Sequence, residues 1–228
     1  MKKCISDSPI DLLSFFLYWK RNNTCYIIRH YFLFLEGIKM VNYEAILLEN
    51  SEIENQHIIL RPFTISDAQD FFEIASDENV TEYLTWKSHI NIEQSINSLN
   101  ERFIGKPHIY AIELKNTKKC IGCIDLRITP EHEKTSFGFM LNREYWGKGY
   151  MTEALESVIE LVFNKLKLNR IESTHYTGNE GSGRVMEKCG MKYEGKSLQE
   201  LVVKKKFVDI IHYGLIARDY ISTQNYGK

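Results

Sequence analysis

Apolar positions change period several times along this chain, and each change predicts an element. A short apolar run at 58–62 reads as a strand. Ser66 and Gln69 stand at capping-box spacing, and Phe71, Phe72 and Ile74 follow as the apolar positions of a helix. Asn91 is placed to cap a second helix, in which Ile92, Ile96, Leu99 and Phe103 recur at helical spacing. Three strand-like runs come next, at 108–114, 120–128 and 135–141, with turns around Asn116 and across 129–134. Links this short leave only antiparallel neighbours, so the three runs predict a meander.

The segment 142–149 is polar and carries two glycines. After it, Ala154, Leu155, Val158, Ile159, Val162 and Leu166 form one stripe of a long amphipathic helix. A strand at 170–177, a helix at 181–189 and two strands within 191–217 complete the pattern. Strand, glycine loop, helix and strand, in that order, describe a parallel crossover joined to the meander. The expected class is α+β, with one mixed central sheet flanked by helices.

Composition narrows the classes. The 228 residues carry 29 Lys+Arg against 30 Asp+Glu, with 43% apolar and 26% charged, which is the balance of a packed globular protein and excludes disordered, collagenous and disulfide-scaffold chains. No Lys/Arg excess marks a phosphate-binding surface, so no nucleic acid partner is expected. Five scattered cysteines fit a reducing compartment, and the protein is read as cytoplasmic. Cys120 and Cys123 spell C-x-x-C, but on a strand residues three apart point to opposite faces, so no metal is expected there.

Residues 1–39 differ from the rest. Apolar runs at 12–19 and 31–35 are interrupted by Lys20, Arg21, Arg29 and His30, and neither approaches the roughly 18 residues of a membrane span. No membrane association is expected. Met40 opens a segment that reads like a fresh amino terminus. Residues 1–39 are therefore read as an upstream extension of unknown role, and 40–228 as a single domain.

The chemistry starts at Trp146-Gly147-Lys148-Gly149-Tyr150-Met151. The two glycines let backbone approach a ligand, and the helix that follows offers unpaired N–H groups and a positive dipole end, which suits a pyrophosphate. The run 142–155, with Asn179-Glu180-Gly181-Ser182 and Glu187-Lys188-Cys189-Gly190-Met191 further on, resembles the acetyl-CoA-binding motifs of the GNAT N-acetyltransferases. Glu194-Gly195 and Asp209 resemble the branch containing the ribosomal-protein N-terminal (alanine/serine) acetyltransferases.

The resemblance implies a GNAT-like sheet in which two parallel strands, 135–141 and 170–177, splay apart around the pantetheine arm of acetyl-CoA, with no metal. Backbone of Trp146, Gly147, Lys148, Gly149, Tyr150 and Met151 would hold the pyrophosphate, joined by Asn179 and Ser182. A backbone N–H near Met140 or Leu141 would meet the developing oxyanion. Trp146 and Met151 depart from the superfamily's usual Gln or Arg and Gly or Ala. Met186 stands where many relatives place a Tyr acid, and Ser136 where many carry a Glu base. Ser182 is the replacement expected to assist the leaving thiolate, unless it only bonds local backbone. Glu200 is the candidate base, with Glu82 a second carboxylate near the acceptor, where Tyr83 and Trp86 would line the pocket.

Two functions follow from that resemblance. In one, an N-acetyltransferase of monomer or homodimer form acts on a protein N-terminus or, as the runner-up, on a small amine such as a polyamine, amino sugar or antibiotic. In the other, the chain is an acyl-CoA-binding module without turnover.

Overall fold

The parallel crossover expected from the sequence is present once, in the middle of a mixed sheet. The computed structural model describes residues 41–226, so the expected extension at 1–39 lies outside the described residues. Strands β1 (Ile53–Glu54), β2 (Ile58–Arg61), β3 (Ile109–Leu114), β4 (Cys120–Thr129), β5 (Lys134–Leu141), β6 (Arg170–Tyr176), β7 (Lys192–Val203) and β8 (Lys206–Ile216) are ordered 1-2-3-4-5-6-8-7. Among the described strands only β5 and β6 run parallel; every other neighbouring pair is antiparallel. The helices are α1 (Tyr43–Glu49), α2 (Ala68–Ser76), α3 (Glu78–Thr81), α4 (Ile92–Ser98), α5 (Tyr150–Glu160), α6 (Glu180–Lys188) and α7 (Ala217–Tyr226). Both α4 and α5 run on into a wider five-residue turn, Leu99–Phe103 and Leu161–Lys165.

A core lies on each face of the sheet. On one, the α5 stripe of Ala154, Leu155, Val158, Ile159, Val162 and Leu166 is buried to the last residue against Ile112, Ile124, Leu126 and Ile171. On the other, Phe71 and Ile74 of α2 and Leu99 after α4 pack on Ala111 and Cys123. Each large side chain so buried contributes roughly 1.5–3 kcal/mol, which is what holds helices of 7 to 11 residues that would be marginal alone.

Two local expectations are corrected. The capping residues ahead of α2 are Thr64 and Asp67, not Ser66 and Gln69: the Thr64 N–H donates to Asp67 Oδ2 at 2.8 Å, and Arg61 pairs with the same carboxylate at 2.7 Å. Cys120 and Cys123 share a face instead of opposing one another. Ile112 pairs with Gly122 and Glu113 with Cys120, so Ile121 is an extra residue in β4 and the alternation of faces slips by one. Both thiols then enter the α2 core, where burial pushes Cys120 up to about 12 and Cys123 well above its usual value. Asn91 caps α4 as expected, its side chain accepting the Gln94 N–H at 3.1 Å.

Candidate active site

The site originates where β5 and β6 separate. Their parallel pairing covers only Lys134↔Arg170, Thr135↔Ile171 and Ser136↔Glu172. Beyond that point β5 stays on β4 as far as Leu141↔Gly122, and β6 stays on β8 as far as Tyr176↔Ile210. Each strand follows its own antiparallel neighbour, and a gap opens between them. Ser173 bridges its lower end, the hydroxyl donating to the Phe137 carbonyl at 2.7 Å.

Above that bridge the backbone of β5 faces the gap with alternate residues. The Asn142 N–H donates to Ile121 O at 2.7 Å, toward β4. Groups of the same parity, including Met140, therefore also point to β4, whereas the N–H groups of Phe139 and Leu141 point to the gap. Of the two positions named from the sequence, Leu141 has the required direction and Met140 does not. The Leu141 carbonyl accepts the Trp146 indole N–H at 2.8 Å, so Trp146 pins the glycine loop to the end of β5 through its side chain.

The loop itself leaves its backbone open. Gly147 (φ 72°) and Gly149 (φ 90°) both occupy the left-handed region, and beyond their chain neighbours no atom lies within 4 Å of where a side chain would begin. The first bond inside α5 is Glu153 N–H to Gly149 O, so the N–H groups of Tyr150, Met151 and Thr152 have no acceptor within the helix. Arg143 Nε to Asp77 Oδ2 at 2.6 Å ties the loop to the α2–α3 junction. This combination of free amides, glycine conformations and an adjoining gap fits a pyrophosphate followed by a slender thioester arm.

A cleft of about 1040 Å³ joins these features. Trp146, Gly147, Gly149, Tyr150 and Met151 line it from the loop, and Met140 and Leu141 from β5. Asn179 and Ser182 line it at the start of α6, where the Asn179 side chain caps the helix by accepting the Ser182 N–H. Glu82, Tyr83 and Trp86 line the far side. Tyr83 reaches across, donating its hydroxyl to Gly178 O at 3.0 Å, and burial with the nearby charges of Glu82 and Glu180 raises its pKa.

Two expected residues are not brought in. Lys148 lies outside the lining, its Nζ 5.1 Å above the Tyr145 ring. Glu200 also lies outside it, exposed on β7, where hydrogen bonds from Ser197 and from His212 (2.8 Å) lower its pKa. One lining residue, His175, was not signalled by the sequence: it stands in a polar run, Glu172 to His175, with no motif around it, and its place depends on the register of β6.

Comparison with known proteins agrees with this geometry. Residues 57–192 match the family described as an acetyltransferase (GNAT) domain. The chain is 32% identical over 149 residues to the uncharacterised N-acetyltransferase YoaA of Bacillus subtilis, covering 63% of this chain and 84% of YoaA. It is 34% identical over 89 residues to YdaF of the same organism, provisionally named a ribosomal N-acetyltransferase, covering 39% of this chain and 49% of YdaF. A GNAT-family acetyltransferase structure from Bacillus anthracis superposes with a TM-score of 0.68 at 26% identity, over 73% of this chain and 99% of that one.

Proposed function

Since the chain belongs to the GNAT acetyltransferase family and is an acetyl-CoA-dependent N-acetyltransferase, we propose that its acceptor is the α-amine at the amino terminus of a protein. The observation that carries the reading is the early parting of β5 and β6 beside the glycine loop. Amides of the loop and of the first α5 turn hold the pyrophosphate, and the N–H groups of Leu141 and Phe139 receive the thioester oxygen as it gains charge. The half-buried Ser182 hydroxyl relays a proton to the departing sulfur.

The acceptor class follows from how little base the cleft supplies on its β5 wall, where Phe137, Gly138, Phe139, Met140 and Leu141 carry no titratable side chain. An α-amine of pKa about 7.7–8.0 is about a quarter neutral at pH 7.4, against about 0.1% for a lysine of pKa 10.4. A β5 wall without a carboxylate base therefore favours the α-amine. The provisional name of YdaF supports the same class.

Thiol release from acetyl-CoA, measured across a panel of amines, tests this. Peptides with a free N-terminal Ala or Ser are expected to react fastest, and the same peptides with a blocked terminus and an internal Lys to be at least tenfold slower. Faster turnover of a polyamine or an amino sugar would assign the small-amine class instead, and binding without turnover of any amine would leave an acyl-CoA-binding module.

A further inference from the structure

We infer that His175 is the general base of the transfer, an assignment that rests on the acetyltransferase reading and names the group that reading lacks. Register places it. The pairs Lys134↔Arg170, Thr135↔Ile171 and Ser136↔Glu172 share one offset, and the same offset carried past the parting sets His175 opposite Phe139, whose N–H faces the gap. His175 is only 6% exposed and lines the cleft.

The ring's hydrogen bond fixes its tautomer. Nδ1 lies 2.9 Å from the Tyr176 carbonyl oxygen, and because a carbonyl only accepts, Nδ1 carries the hydrogen. In the neutral imidazole the lone pair is then on Nε2. That nitrogen meets α6 at Gly183, where an added Cβ would stand 2.9 Å from Nε2 and 3.3 Å from the Tyr213 hydroxyl. Glycine at 183 thus keeps a side chain off Nε2, one residue from Ser182.

Charged and titratable neighbours do not displace this role. From β8, Tyr213 stacks on the imidazole with ring centres 5.7 Å apart at 28°. Its hydroxyl donates to Glu187 of α6 at 2.8 Å, and burial together with that bond pushes its pKa up to about 12, so it stays neutral. The Glu187 carboxylate is thereby engaged by the tyrosine, while Tyr176 presents its carbonyl to Nδ1 from β6 itself. The sequence candidate Glu200 is held by His212 outside the cleft.

In the step, the amine nitrogen attacks the thioester carbonyl carbon and a C–N bond forms. Nε2 of His175 takes the proton that the nitrogen sheds, directly or through one water. The C–S bond breaks with its electron pair remaining on sulfur, and the imidazolium returns its proton through solvent and the Ser182 hydroxyl to the thiolate.

His175→Asn tests the assignment, because the Asn amide can keep the bond to the Tyr176 carbonyl while removing Nε2. With the best acceptor of the panel, kcat/KM at pH 7 is expected to fall by about 10²–10⁴ while acetyl-CoA affinity by calorimetry stays within twofold. The deficit is expected to shrink as pH rises and free amine accumulates, and added imidazole to restore part of the rate. Nitrogen-15 NMR of the wild type supplies a reading independent of any variant: the expected resting tautomer is Nδ1–H with Nε2 unprotonated. A variant within threefold of wild type across the pH series, a deficit constant with pH and unmoved by imidazole, or an Nε2–H tautomer would each overturn the assignment while the acetyltransferase reading stands. Absence of turnover by the wild type with every amine would overturn both.

Discussion

Two glycines on adjacent strands show how single residues set the site. At Gly122 a Cβ would collide with the Met140 carbonyl oxygen and lie 3.1 Å from Leu141 Cα, so relief requires β4 and β5 to move apart. At Gly138 the obstruction is the end of the Arg127 side chain and Asp125 Oδ1 at 2.8 Å, a surface ion pair that can swing away. Gly122→Ala is therefore expected to cost about 1–3 kcal/mol in chemical denaturation, and Gly138→Ala less than about 1 kcal/mol. Equal costs would mean that the β4–β5 backbone yields as easily as a side chain. Residues of the glycine loop were legible in the sequence because their chemistry is local: a run of amides and glycines needs no partner from elsewhere. His175 and Gly183 were not, because what matters about each is the other, and the contact exists only once β6 and α6 have been brought together.

At the scale of elements, periodicity gave α5 its full buried stripe and the three meander strands their order, since each depends on one face turned to a core. It failed where a tertiary contact chose between local options. Thr64-x-x-Asp67 and Ser66-x-x-Gln69 are both plausible starts for α2, and the ion pair with Arg61 on β2 selects the first. The slip at Ile121 is likewise set by the β3 pairing and leaves no mark in the spacing of the two cysteines.

That Arg61 cluster also governs acid stability. It joins β2, β3 and the turn before α2, with Asp67 at 2.7 Å and Glu113 at 2.6 Å. Burial alone would raise the Asp67 pKa, but hydrogen bonds from Arg61 and the Thr64 N–H outweigh it and the net direction is down. A lowered folded-state pKa contributes stability that is present above the unfolded value of about 3.9 and is lost as pH falls through the folded one. Asp67→Asn is expected to cost about 3 kcal/mol at pH 7, because Arg61 loses a partner, and to flatten the decline of stability below pH 4. Denaturation midpoints of both proteins from pH 7 to 3 check this; parallel curves would remove Asp67 from the acid transition.

For the molecule as a whole, the sheet is continuous in hydrogen bonding except where β5 and β6 part, and the α2–α4 layer and the α5–α6 layer lie on opposite faces of that gap. The segment carrying Glu82, Tyr83 and Trp86 and the loop before α5 thus reach one cleft from opposite sides. Among the described residues no helix is long and apolar enough to cross a membrane. The central claim, that acetyl-CoA enters this gap with its pyrophosphate on the glycine loop, is met most directly by calorimetric titration of acetyl-CoA into the wild-type protein and into Gly149→Asp. Asp at a φ of 90° is strained and sets a negative charge against the phosphates. One site per chain is expected in the wild type, with affinity at least tenfold weaker in the variant. Equal affinity in a variant that retains its fold would contradict the placement.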